Sequence, residues 1–173
     1  MTRLILPDPT RFEEWRDLCA ELMAEDEIPH GSGLWEVDAG ITPAGFAQHL
    51  AASARFADLS LPAPAGKVRA TQYWIADDEG ALVGFAQVRH ALNDNLLQSG
   101  GHIGYSVRPS RRREGHATRA LRRGLDALRD LGLDRALVTC AESNEASART
   151  IESCGGVRED VRDGVRRYWI ALG

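Results

Sequence analysis

Apolar and polar positions change period several times along the chain, and each change marks an element. Arg3 to Leu6 is a short apolar run stopped by Pro7 and Pro9, the pattern of a first strand at a sheet edge. Thr10 stands where an N-cap would. Phe12, Trp15, Leu18, Cys19 and Leu22 then recur at three-to-four spacing, with Glu13, Glu14, Arg16, Asp17 and Glu21 opposite, which predicts an amphipathic helix ending near Glu27. Residues 28–42, with Pro29, Gly31, Gly33 and Gly40, read as an irregular loop, either a substrate contact or a solvated connector. Pro43 opens a second helix carrying Phe46, Leu50 and Phe56, to about Ala57, and the proline-rich stretch LSLPAPAGK follows.

The string TQYWIADDEGALVGFAQVRH has the form of a hairpin around Asp77, Asp78, Glu79 and Gly80. A polar loop, Asn93 to Gln98, leads to Gly100 and a fourth strand, HIGYSV. Ala117, Ala120, Leu121, Gly124, Leu125, Leu128 and Leu131 then form one face of a helix that Gly132 is positioned to stop. Arg135 to Ala141 is a continuous apolar run, as in a strand covered on both faces. Asn144 fits as the cap of a helix carrying Ala148 and Ile151, ended by Gly155 and Gly156, and a last hairpin turns at Arg162, Asp163 and Gly164.

These elements predict the α/β (α+β) class, with a mixed, mostly antiparallel central sheet of about 6–7 strands and helices on both faces. The order is strand, two helices, three strands, helix, strand, helix, two strands. The unit from Gly101 to Ala141 is expected to be a parallel pair with a right-handed crossover. At 173 residues, a single domain spanning 1–173 is expected.

Composition narrows the function classes. Hydrophobic residues make up 43% and charged ones 27%, which suits a globular chain rather than a disordered one. No apolar run approaches the roughly 20 residues of a membrane span. The N-terminus lacks the form of a signal peptide, so a cytoplasmic location is the expectation. Cys19, Cys140 and Cys154 are in no metal-ligand pattern, and neither a metal nor a disulfide is expected. A net charge of −4 gives no general reason for membrane or nucleic-acid binding. Positive charge is local: Arg108, Arg111, Arg112, Arg113, Arg119, Arg122 and Arg123 point to an anionic partner at one place. Homodimerisation has no signal in the sequence.

That place is the stretch from Gly100 to Leu125, where a buried strand passes through an arginine-rich turn into a helix. Free N–H groups at a helix start, with the positive end of its dipole, bind phosphate oxygens. Neither G-x-x-x-x-G-K-[ST] nor G-x-G-x-x-G occurs. What occurs is Arg112-Arg113-Glu114-Gly115-His116-Ala117, an R-x-x-G-x-A pattern whose small Gly115 and Ala117 allow close backbone approach. Arg108, Arg111, Arg112 and Arg113 are the better placed arginines for phosphate, whereas Arg119, Arg122, Arg123 and Arg129 read as a solvated helix face.

The pattern, its strand-to-helix setting and the following Asn144-Glu145-Ala146-Ser147 and Gly155-Gly156 together resemble the GNAT superfamily of acyl-CoA-dependent N-acyltransferases, with GGHIGYSVRPS similar to one bacterial branch of it. The resemblance implies acetyl-CoA as donor and a small-molecule or peptide amine as acceptor. It implies that backbone N–H groups across Arg112, Arg113, Gly115, His116, Ala117 and Thr118 hold the pyrophosphate, and that the Val107 N–H polarises the thioester carbonyl where two strands splay apart. It leaves Asn144 either capping its helix or bonding the pantetheine, with Ser147 beside it. A CoA-binding module without robust catalysis, and a regulatory or nucleic-acid-binding protein using the Arg108–Arg123 cluster, are the competing readings.

Catalytic groups are harder to read. The tyrosine that supplies the acid in many members of the superfamily is replaced by Ile151 here, leaving Ser147 or Cys154 as substitutes. His102 titrates near neutrality and is a candidate base. By period two, however, Gly101, Ile103 and Tyr105 share the side of Val107 and His102 faces away, unless a bulge intervenes. Tyr105 has the right parity and a hydroxyl; His90, Glu142 and Cys140 are weaker candidates.

Overall fold

The computed structural model describes residues 1–25 and 28–173. Among these residues seven strands form two sheets. The first has the order β1 (Arg3–Ile5), β2 (Ala70–Ala76), β3 (Leu82–Arg89), β4 (Ile103–Val107); the second has β5 (Arg135–Ala141), β7 (Val165–Ala171), β6 (Val157–Arg162). Among the described residues five α-helices accompany them, α1 (Phe12–Met23), α2 (Pro43–Ala57), α3 (Asp94–Gln98), α4 (His116–Asp130) and α5 (Glu145–Ser153), with short 3-10 turns at Leu34–Glu36 and Pro109–Arg111. The order and count match the sequence expectation with one addition. The polar stretch after Asn93 closes into the short helix α3, because the Asn93 side chain accepts from the Leu96 N–H at 3.0 Å.

Two boundaries differ for local reasons. Thr10 does not cap α1: its N–H and hydroxyl both bond the Asp8 carboxylate, and the helix starts from Arg11 with no side-chain cap. The expected end of α1 near Glu27 lies outside the described residues. By contrast α2 begins at Pro43 as its sequence predicts, and Thr42 adds a cap that accepts from the Gly45 N–H at 3.1 Å.

Every ladder is antiparallel, and the expected parallel pairing of β4 with β5 does not form. Among the described residues, the backbone bond joining these chain segments is His102 N–H to Leu137 carbonyl, at 2.7 Å. Beyond that point β4 and β5 diverge, and the sheet has a seam.

The helices cover both faces. Trp15, Leu18, Cys19 and Leu22 of α1 and Phe46 of α2 bury against Trp74, Leu82 and Phe85, the three-to-four pattern of the helix meeting alternate positions of the strands. Tilted ring contacts of 5.1 Å between Trp15 and Phe46 and 5.5 Å between Phe12 and Phe46 fill this layer. On the opposite face Leu121, Leu125 and Leu128 of α4 and Ile151 of α5 pack with Val88, Ile103, Val138 and Tyr168. Burying any one such leucine contributes about 2 kcal/mol. The N-terminus is clipped to the start of α4, where Thr2 Oγ1 lies 2.8 Å from His116 Nδ1 and accepts from Arg119 Nε at 2.7 Å. No described helix is long and apolar enough to cross a membrane.

Candidate active site

In an antiparallel ladder, hydrogen-bonded and non-bonded pairs alternate. Arg89 N–H donates to His102 carbonyl at 2.7 Å and Arg108 N–H to Val83 carbonyl at 2.9 Å, so the His102 carbonyl, the backbone groups of Gly104 and Ser106, and the Arg108 N–H face β3. Ile103, Tyr105 and Val107 therefore aim theirs across the seam toward β5, which returns no ladder. Their side chains lie over α4, as period two requires: Ile103 and Val107 are buried there and Tyr105 packs between them.

The strand runs straight into the R-x-x-G-x-A turn. Arg113 (φ +65°) and Gly115 (φ +79°) both adopt left-handed backbone, which curls the chain into a cradle ahead of α4. The first helical bond is Arg119 N–H to Gly115 carbonyl, at 3.1 Å. Among the described residues, the N–H groups of Arg113, Glu114, Gly115, His116, Ala117 and Thr118 have no backbone or side-chain acceptor in the protein. Such a row at the positive end of a helix dipole fits a diphosphate.

The arginine side chains are committed elsewhere, which corrects the expectation that Arg108, Arg111 and Arg112 are available for phosphate. Arg108 pairs with Glu21, whose other oxygen accepts from the Ser110 N–H at 2.7 Å. Burial alone would raise the Glu21 carboxyl, but these hydrogen bonds and the Arg108 charge prevail and hold it at about 2. Arg111 bonds Asp77 at 2.9 Å and Glu114 at 3.1 Å. Arg112 pairs with Glu25 at 2.7 Å, while its Nε donates to the Val107 carbonyl at 3.0 Å. These arginines brace the turn, and the donors it leaves without an acceptor among the described residues are backbone N–H groups. Arg113 is exposed and has no ion pair among the described residues. The His116 ring is occupied by Thr2 and by Glu114 at 3.2 Å, which leaves its backbone N–H as the donor without an acceptor.

Across the seam, Asn144 Oδ1 accepts from the Ser147 N–H at 3.0 Å, so its side-chain oxygen caps α5. Ser147 Oγ lies 2.9 Å from the Tyr105 hydroxyl, a hydrogen bond that bridges β4 to α5. Burial pushes the Tyr105 phenol up to about 12, keeping it protonated. Cys140, beside Ser147, is buried, and burial raises its thiol as well, the behaviour of a packing residue rather than a nucleophile. Ile151 is 0% exposed in the core, so the position of the customary tyrosine is filled by apolar packing.

His102 is placed differently from Tyr105. Its ring Nδ1 accepts from the Leu137 N–H at 2.9 Å, and its pKa is driven down to about 4, first by burial and then by the Arg89 charge. The nitrogen that would take a proton is already engaged. His90 is tied to Thr71 at 2.9 Å, and burial lowers its pKa too.

The loop 28–42 crosses β4 on the opposite face. Gly31 sits directly on Gly104: a Cβ there would lie 2.2 Å from the Gly104 carbonyl oxygen, and its φ of +71° is one that side chains resist. Gln72 Nε2 fixes it by donating to the Gly31 carbonyl at 2.6 Å. Beyond this crossing a cavity of about 480 Å³ opens, lined among others by Gly33, Trp35, Gln72, Gln87 and Arg89. Neither Arg89 nor Gln72 stands out in the sequence, since each lies within an ordinary strand pattern.

The comparisons with known proteins agree with this geometry. The structure is similar to that of ribosomal-protein-S5-alanine acetyltransferase from Vibrio fischeri, with 18% identity, a TM-score of 0.69 and coverage of 99% of this chain and 92% of that one. It is similar to yncA from Salmonella typhimurium with its cofactor acetyl-CoA, at 14% identity, TM-score 0.60 and coverage of 99% and 94%. It is also similar to mutant forms of the spermidine/spermine N-acetyltransferase SpeG from Vibrio cholerae, at 15% identity, TM-score 0.63 and coverage of 99% and 94%. No curated protein sequence matches the chain. The family model described as acetyltransferase (GNAT) domain matches residues 3–157, nearly the whole chain, and the chain therefore belongs to the GNAT acetyltransferase family, whose acyl donor is acetyl-CoA.

Proposed function

We propose that this chain, as a single domain over residues 1–173, transfers an acetyl group from acetyl-CoA directly to a primary amine. The observation that carries the reading is the unpaired edge of β4, where the Val107 and Tyr105 N–H groups face the seam and which the short turn at residues 108–112 joins to the acceptor-free N–H row at Arg113–Thr118. Acetyl-CoA supplies an activated thioester carbonyl. The cradle binds its diphosphate, and the Val107 N–H stabilises negative charge that develops on the carbonyl oxygen. Arg112 couples the two, since it joins the cradle to the Val107 carbonyl. The Tyr105 hydroxyl, oriented by Ser147, is a proton donor positioned for the leaving thiolate in place of the absent tyrosine at 151.

An amine acceptor is supported by the relatives named above, one an alanine acetyltransferase of a ribosomal protein and another a spermidine/spermine N-acetyltransferase. The ion pairs that absorb Arg108, Arg111 and Arg112 weigh against nucleic-acid binding by that cluster. Three free cysteines suit a reducing, cytoplasmic setting.

Titration calorimetry with acetyl-CoA tests the donor site. Micromolar affinity is expected for the wild type, and loss of detectable heat for Gly115→Val, which cannot hold φ +79°. Absence of binding to the wild type would defeat the reading. Binding without thiol release on any amine would leave a CoA module of the same fold.

A further inference from the structure

The cavity over β2 and β3 is lined by a guanidinium, that of Arg89, with no carboxylate partner among the described residues. Arg89 closes β3 and turns onto the Gly100–Gly101 bend that opens β4. Its Nη1 donates to the Gly100 carbonyl at 2.9 Å and the Gly101 carbonyl at 3.0 Å, and its Nε donates to Gln87 Oε1 at 3.1 Å. All three partners are neutral. Nη2 has no hydrogen-bond partner among the described residues and lies beside Gly104, 3.4 Å from where a Cβ on that glycine would stand. Burial lowers the Arg89 pKa from the usual guanidinium range, with no carboxylate offsetting it.

The rest of the cavity lining sharpens the point. Lys67 and Glu36 are paired with each other at 3.3 Å, so they cancel, and the remaining polar residues Gln72, Gln87, Asn93 and Asn95 are neutral. A guanidinium that lines a cavity and keeps one nitrogen without an acceptor, and without an anion among the described residues, has the chemistry of a carboxylate receptor. Trp35 stands 72% exposed at the rim, a large indole with little protein packing against it, suited to covering the body of a bound molecule.

We propose that the acceptor amine carries a carboxylate, and that Arg89 binds it. This deepens the acetyl-transfer reading and rests on it. The bend that Arg89 grips immediately precedes His102, so the receptor sits at the closed end of the seam whose open part exposes the Val107 N–H. Gly104 and Val107 are about 10 Å apart along the strand. The acceptor nitrogen has to reach the thioester carbonyl held at the Val107 N–H, and a contact of about 3 Å at each end leaves a short span between amine and carboxylate, on the scale of an amino acid rather than a polyamine. A polycation would instead meet an uncompensated positive charge.

Thiol release at saturating acetyl-CoA, measured on a panel of free amino acids, their carboxamides and spermidine, decides the matter. On the wild type, the best free acid is expected to exceed its carboxamide at least about tenfold in kcat/KM, the scale of one charge-assisted hydrogen bond. In Arg89→Met that gap closes through KM for the acid, while KM for acetyl-CoA stays within about twofold; Arg89→Lys restores part of it. Because Arg89 also holds the Gly100–Gly101 bend, the comparison of acid with carboxamide on the wild type stands even if Arg89→Met fails to fold. Equal rates on acids and carboxamides, preference for spermidine over every acid, no turnover of any acid, or a gap that survives in Arg89→Met overturns the proposal. Failure of acetyl-CoA to bind in the calorimeter overturns the acetyl-transfer reading itself, a separate outcome.

Discussion

His102 and Leu137 bond each other twice: the His102 N–H donates to the Leu137 carbonyl at 2.7 Å, and the Leu137 N–H donates to the His102 ring at 2.9 Å. A histidine that looks like a base in the sequence is thereby a fastener between two sheets. Its ring replaces the strand carbonyl that a continuous ladder would have supplied.

Replacing this ring tests the assignment. His102→Ala leaves the buried Leu137 N–H unpaired and is expected to cost about 1–3 kcal/mol in urea unfolding. His102→Asn, whose side-chain oxygen can reach the same N–H, is expected to recover much of that stability and most of the activity. A stable His102→Asn with its rate lost at neutral pH would instead identify His102 as the base.

Stability is expected to fall on mild acidification, before the carboxylates titrate. The pKa values of His102 and His49 both drop from 6.5 to about 4, chiefly through burial. In that window the unfolded chain binds more protons than the folded one, so the stabilisation is complete above pH 6.5 and is lost as pH falls toward 4. Each histidine contributes up to about 3 kcal/mol to that slope. Urea midpoints between pH 7 and 4 measure it, and a variant lacking either histidine is expected to show a shallower decline.

Tyr105→Phe removes the hydroxyl 2.9 Å from Ser147 Oγ while keeping the ring that packs under α4. A kcat reduction of about tenfold or more is expected, with KM for acetyl-CoA little changed. Stopped-time thiol release over a pH series checks it. An unchanged kcat would mean that the thiolate leaves without help from this hydroxyl.

Restoring the customary tyrosine is expected to fail. Ile151 is fully buried, and its Cγ2 lies 2.6 Å from where a Cβ on Gly156 would stand. Ile151→Tyr therefore overpacks the core, at a cost of about 1–3 kcal/mol by urea unfolding, with no gain in kcat.

Much of this was legible in the chain because local chemistry decides it. Pro43 opens α2, and Asn144 caps α5, as their positions suggest. The two-residue turn at Asp163 and Gly164, both at positive φ, closes the last hairpin. What could not be read depends on partners far apart in sequence. Glu21 takes Arg108 from 87 residues away, and Asp77 takes Arg111 from 34, so an apparent phosphate-binding cluster becomes a brace. The same holds for Arg89, whose place in a regular strand pattern gives no hint that it grips a bend and faces a cavity. The seam was hidden for a different reason: β5 reads as an ordinary covered strand, and nothing in its apolar run says which neighbour it lacks.

A sheet divided at one fastener makes the domain two half-cores that share little backbone bonding, one built around α1 and α2, the other around β5, β7 and α5. A donor lying along that division touches both halves and so acts as a thermodynamic clasp, adding RT ln(1 + [L]/Kd) to the free energy that keeps them together. Amide exchange in β5 and α5 is then slowest when the nucleotide is bound. The concentration of acetyl-CoA becomes a determinant of how rigid the protein is as well as of how fast it works.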